Sequence, residues 1–98
     1  MRPCEEMKNL RDILDRNGIP WTDRSDVGFC RTRFEIGKYE FSVIHGRSTY
    51  GGIDGLLELA IFDGNHVIED SEGWLSAKDV ICKIKGVQKE CLKKEKDL

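Results

Sequence analysis

The stretch that decides the fold runs from Arg33 to His45 and reads RFEIGKYEFSVIH. Two runs of β-forming residues flank the dipeptide Gly37-Lys38, which is typical of a hairpin with a type II′ turn. This turn fixes the facing pairs, which are Ile36 with Tyr39, Phe34 with Phe41, and Thr32 with Val43. One face of the hairpin is therefore almost wholly apolar. The opposite face carries Arg31, Arg33, Glu35, Glu40 and Ser42.

An apolar sheet face needs a cover, and two segments have the helical periodicity to supply it. Residues from about Pro3 to Asn17 carry an apolar stripe and are followed by Gly18, which favours a Schellman-type C-terminal cap. Ser76 and Asp79 are spaced as in a capping box and predict the start of a second helix. A glycine after Lys85 predicts that this helix ends there.

Further strands are predicted on both sides of the hairpin. The apolar run from Leu56 to Phe62 predicts a central strand, and Val67-Ile68 predicts a short fourth strand. Ile19–Thr22, which contains Pro20, is expected to form a short edge strand. The apolar phase changes near Phe29, which predicts a bulge or a break there, and residues 70–73 are expected to form a loop.

The predicted fold is α+β. It has two layers, with an antiparallel sheet of three to four strands and two helices packed on one face, in the order αβββ(β)α. Residues 1–87 are expected to form a single domain, since 98 residues provide one modest core. The lysine-rich residues 88–98 are expected to be a frayed helical extension or a disordered tail.

The composition of the chain argues against several classes of protein. The net charge of −2 argues against a protein that neutralises a nucleic-acid backbone. No apolar run approaches the roughly 18 residues of a membrane helix, and the first residues lack the apolar stretch of a secretory signal. The four cysteines form no C-x-x-C pair, which favours a reduced, cytoplasmic chain with neither a metal site nor a cofactor.

The longest irregular stretch, residues 46–55, is the first candidate for chemistry. It is either a solvated strand connection or, as the second hypothesis, a small-ligand or anion site that is conceivably enzymatic. That site would use His45, Arg47, Tyr50 and Glu58. No nucleophile–base signature occurs, so no catalytic residue is predicted and an enzyme is the less favoured class.

The second group of candidates would serve an interface. Trp21 and Trp74 each lie just outside a helical pattern, and tryptophan is enriched at interface hot spots. Arg31 and Arg33 belong to the mixed-charge face of the hairpin, which together with an exposed strand edge would suit a protein partner or a homodimer.

Five stretches of the chain also carry a resemblance. They are residues 17–21 (NGIPW), 40–44 (EFSVI), 49–52 (TYGG), 55–59 (GLLEL) and 72–80 (EGWLSAKDV). In this order they resemble a type of small, uncharacterised protein encoded in phages and mobile elements of gut bacteria. The resemblance implies a cytosolic accessory protein that binds a host or phage macromolecule, and it implies no established activity. The favoured function is therefore a small non-catalytic protein-binding module.

Overall fold

The computed structural model describes residues 3–46, 49 and 54–96, without the side chains of residues 69–71 and 87–96. Its elements in chain order are α1 (Glu5–Arg16), β1 (Trp21–Asp23), β2 (Phe29–Ile36), β3 (Tyr39–Gly46), β4 (Leu57–Asp63), β5 (His66–Leu75) and α2 (Ala77–Lys96). The strands form one antiparallel sheet in sequential order, β1-β2-β3-β4-β5. The predicted α+β class is confirmed, with five described strands rather than three to four.

The hairpin of β2 and β3 has the predicted register. Ile36 pairs with Tyr39, Phe34 with Phe41, and Thr32 with Val43. Gly37 adopts a φ of 61°, which a type II′ turn requires at its first central position. The rings of Phe34 and Phe41 stack at a centroid distance of 5.0 Å, and such a pair contributes about 1 kcal/mol beyond its buried area.

Of the bulge or break predicted near Phe29, the structure shows the break. β2 begins at Phe29, which opposes Gly46, and it pairs with β3 without interruption to the end of the hairpin, so there is no bulge. The residues before Phe29 form a turn, in which Val27 is 91% exposed. Register irregularities lie between β4 and β5, and β5 runs through residues 70–73, where a loop was predicted.

Both helices cover the same face of the sheet, which we call the inner face. Met7, Leu10 and Leu14 of α1 and Val80 and Ile84 of α2 are buried in one cluster with the inner-face residues. Each such side chain contributes about 1.5–3 kcal/mol by leaving water. The inner-face residues in the cluster are Cys30, Phe34, Tyr39, Phe41, Val43, Leu57, Leu59 and Ile61.

The end of α1 follows the Schellman pattern that the sequence predicts. The backbone N–H of Ile19 donates to the carbonyl of Leu14 at 2.9 Å, and that of Gly18 donates to Asp15 at 3.1 Å. Gly18 has a φ of 67°, a conformation that costs other residues free energy because their Cβ crowds the backbone.

The start of α2 confirms the predicted capping box, whereas its predicted end is wrong. The backbone N–H of Ser76 donates to Asp79 Oδ2 at 2.9 Å, and that of Asp79 donates to Ser76 Oγ at 3.2 Å. α2 then continues through Gly86 to Lys96 instead of ending near Lys85. Gly86 keeps helical geometry, so it does not act as a C-terminal cap. The division between residues 1–87 and a C-terminal extension stays a prediction.

Two glycine substitutions test these helix ends in opposite directions. We expect Gly18→Ala to lower the free energy of unfolding by about 1 kcal/mol, because alanine is strained at positive φ. We expect Gly86→Ala to raise it by up to about 1 kcal/mol, because alanine favours a helix interior and a Cβ there meets no atom within 4 Å. Urea denaturation of the two variants and the wild type measures both effects.

Each variant is the control for the other, since both substitutions add the same methyl group. A destabilised Gly86→Ala variant would show that α2 does not continue as helix through this position.

Candidate functional site

The sheet face opposite the helices, which we call the outer face, is built by residues that alternate with the core positions of β2, β3 and β4. Among the described elements, none packs on it, since α1 and α2 both lie against the inner face. Most of its side chains are half-buried. They are Phe29, Arg31, Arg33, Glu35, Glu40, Ser42, Ile44, Glu58, Ala60 and Phe62.

The centre of the outer face is apolar and is flanked by opposite charges. Arg31 of β2 pairs with Ile44 of β3, which in turn pairs with Glu58 of β4. These three residues form a row across the strands, with a cation at one end and a carboxylate at the other. Together with Ser42 and Phe62, they line a depression of about 260 Å³.

Arg31 brings a guanidinium that the described residues do not neutralise. It lies over the ring of Phe29, with 5.0 Å between Cζ and the ring centroid. None of the described carboxylates lies within ion-pairing distance of it, and its buried Nε has no hydrogen-bond partner among the described residues. An unsatisfied buried donor costs about 1–3 kcal/mol, which a partner that supplies an acceptor would recover.

Arg33 has a different role, because its guanidinium forms an ion pair with Glu40 on the neighbouring strand. Both side chains line a second depression, of about 400 Å³, toward the β1 edge of the sheet. Thr22 and Arg24 complete its polar lining. The outer face therefore has mixed charge at this end, as the sequence predicts for Arg31, Arg33, Glu35 and Glu40.

Trp21 is half-buried and packs against the edge of the core. Its indole Nε1 donates to Asp15 Oδ1 at 2.8 Å, and the guanidinium of Arg11 lies 4.7 Å from its ring centroid. Arg11 is itself only 13% exposed and donates from Nε to Thr32 Oγ1 at 2.8 Å. The tryptophan thus joins β1 to α1, and its predicted interface role stays a prediction.

Trp74 lies at the opposite edge of the sheet and is 58% exposed. It has a φ of 54°, which is rare for a bulky residue and accompanies the irregular pairing of β5 with β4. Val67 and Ile68 on the same strand are 54% and 49% exposed. Exposed apolar side chains therefore occur toward both ends of β5, with an acidic stretch of sequence between them.

The four residues of the predicted ligand site are not brought together by the described structure. His45 alternates with Phe41 and Val43 and is buried on the inner face. Glu58 lies on the outer face between two buried leucines. These two side chains therefore do not line one pocket. Arg47 and Tyr50 lie outside the described residues, and the ligand-binding role of residues 46–55 stays a prediction.

Comparison with known proteins found no match among family models, curated proteins or solved structures. In the part of the chain that the structure describes, no group of three or more His, Cys, Asp or Glu residues is arranged to hold a metal ion. No described helix is both long and apolar enough to cross a membrane.

The apolar outer-face residues Ile44, Ala60 and Phe62 were not among the sequence-based candidates. The signal for the last two is present in the sequence, because the run from Leu56 to Phe62 is apolar at both odd and even positions except at Glu58. A strand with only one covered face would alternate apolar and polar residues. The near-continuous run therefore indicates that the second face of the sheet is also partly apolar.

Asp23, beside the Arg11 cluster, gives a testable pH dependence. The hydroxyl and the backbone N–H of Ser25 both donate to Asp23, and the Arg11 guanidinium lies 3.4 Å away. These contacts hold the pKa of Asp23 below its usual value of 3.8. The carboxylate therefore stabilises the fold above about pH 4, and this contribution is lost as the pH falls through the folded-state pKa. We expect Asp23→Asn to lose less stability than the wild type between about pH 5 and pH 3.

Urea denaturation at both pH values provides the measurement. Asp54→Asn, at an exposed turn position, is the matched control and should follow the wild type. An Asp23→Asn variant with the full wild-type loss of stability would contradict this role of the Ser25 and Arg11 contacts.

Proposed function

We propose that this chain is a small non-catalytic protein-binding module whose partner docks on the outer face of the sheet. The observation that carries this proposal is the uncovered row of Arg31, Ile44 and Glu58, with Phe62 beside it. It combines half-exposed apolar side chains with a guanidinium that has no carboxylate among the described residues.

This composition is that of a recognition surface. Protein interfaces have an apolar centre with a polar rim, and arginine and aromatic residues are enriched in them. On the outer face, Ile44, Ala60 and Phe62 supply the centre, while Arg31 and Glu58 supply the rim. The preference for protein over nucleic acid follows from the net charge of −2 and from the glutamates on the same face.

The non-catalytic part of the proposal rests on the geometry of the predicted ligand site. His45 and Glu58, the described members of the predicted ligand site, are separated by the sheet.

The cellular context is part of the same proposal. A role as a cytoplasmic accessory protein of a phage or mobile element rests on the resemblance carried by the five stretches of sequence. A protein that acts by docking to a macromolecule through one sheet face is consistent with such a role.

The test compares what the protein captures with an intact or an altered outer face. We expect Ile44→Lys to reduce the recovery of the specific partner about tenfold or more, because a lysine ammonium replaces the apolar centre of the interface. The measurement is quantitative mass spectrometry of proteins captured from a lysate of the bacterium that carries the gene.

Val27→Lys is the matched control, since Val27 is 91% exposed in a turn and lies off the outer face. Urea denaturation of both variants verifies that they fold. Equal recovery by Ile44→Lys and Val27→Lys would overturn the assignment of the outer face as the binding surface.

A further inference from the structure

We infer that the partner on the outer face is a second copy of this chain, related to the first by a two-fold axis parallel to β3. The inference rests on the proposed function, that the outer face binds protein, and it adds which protein. A self-associating surface must be complementary to itself under the two-fold rotation. The charges of the outer face meet this requirement.

The central row has opposite charges at equal distances from β3. Arg31 lies one strand to one side of Ile44, and Glu58 lies one strand to the other side. A two-fold axis along β3 in the plane of the face exchanges these sides. It places Arg31 over the second copy's Glu58, places Glu58 over the second copy's Arg31, and brings the two Ile44 side chains together at the axis. The guanidinium that has no carboxylate in its own described chain thereby gains one.

The neighbouring rows are compatible with the same axis. Arg33, Ser42 and Ala60 form one of them, so Arg33 faces the small Ala60 of the second copy and the two serines meet at the axis. In the next row, Glu35 of one copy lies against Phe62 of the other. Glu40 of one copy meets Glu40 of the other. Each of these glutamates is already paired with Arg33 of its own chain, which neutralises the contact.

An axis that runs across the strands gives a poorer fit. Through Ile44, it would place Arg31 of one copy against Arg31 of the other. Through Ser42, it would give Arg31 a carboxylate, that of the second copy's Glu35. It would also place the apolar Ile44 against Glu40 and the apolar Phe62 against Glu58, so that neither apolar side chain meets another. Like charges and buried unpaired charges both oppose association. The axis along β3 also keeps the strands of the two sheets aligned, as in β-sandwiches.

The size of the face sets the expected affinity. Three strands of about eight residues, spaced about 4.8 Å apart, cover roughly 400 Å² in projection. This is below the roughly 800 Å² per partner of a standard stable interface. We therefore expect a reversible dimer with a dissociation constant in the micromolar range, which weakens as salt screens the Arg31–Glu58 pairs.

Charge reversal tests both the partner and the axis. We expect Arg31→Glu and Glu58→Arg each to weaken self-association roughly tenfold or more, because each replaces two attractive contacts by two repulsive ones. When the two variants are mixed, a heterodimer should form. In this heterodimer, the axis along β3 brings the two substituted side chains, which carry unlike charges, into contact. It also brings the unaltered Glu58 of one chain into contact with the unaltered Arg31 of the other.

Analytical ultracentrifugation of each variant and of the equimolar mixture provides the measurement. Lys8→Glu, on the exposed side of α1, is the control for a reversal of charge away from the outer face, and it should self-associate like the wild type.

The outcomes separate this inference from the proposed function. The inference is supported if the two variants form a heterodimer although neither self-associates. If Arg31 and Glu58 acted only within one chain, mixing the variants would not restore association. A wild-type protein that stays monomeric at about 100 µM, or a mixture without heterodimer, overturns the inference. If Ile44→Lys still loses a specific partner from the lysate in that case, the outer face binds a different protein and the proposed function stands. If Ile44→Lys recovers the same proteins as the wild type, the inference and the proposed function are both contradicted.

Discussion

The register of the β2–β3 hairpin determines what each surface of this protein presents. Because successive strand residues point to opposite faces, the pairing of Phe34 with Phe41 also fixes where Arg31, Ile44 and Glu58 lie. A shift of one residue would exchange the core and the outer face. The turn at Gly37 and the stacked phenylalanines under the helices both favour the observed register, so local and tertiary preferences agree.

The same register leaves one face of the sheet open. The chain has two described helices, one before and one after the strands, and both have apolar stripes that pack on the inner face. Helix packing therefore satisfies only half of the apolar surface that the central strands carry. The other half, around Ile44 and Phe62, is buried only to the extent that neighbouring side chains cover it. We propose that association with another surface covers this apolar centre.

The parts of the fold that could be predicted from the sequence are those governed by short-range chemistry. The hairpin turn, the Schellman cap at Gly18 and the capping box of Ser76 and Asp79 each depend on a few adjacent residues. The length of β5 could not be predicted, because it is set by irregular pairing with β4 through tertiary contacts. The end of α2 could not either, since a glycine caps a helix only where the backbone adopts positive φ, and Gly86 does not. Arg31 was predicted for an interface and Glu58 for a ligand site, but the row that joins them could not be predicted because it depends on the alignment of three strands.

The edges of the sheet explain why association through its face is favoured over growth of the sheet itself. β1 is only three residues long and follows Pro20, which limits its capacity to pair with another strand. β5 is longer, but its sequence has Glu69, Asp70 and Glu72 near the middle. A strand edge with several acidic residues in its sequence is a poor template for pairing with another copy of itself. In the proposed dimer, the outer face instead pairs Arg31 with Glu58 of the second copy. The proposed mode of association is therefore the one that the charge pattern opposes least.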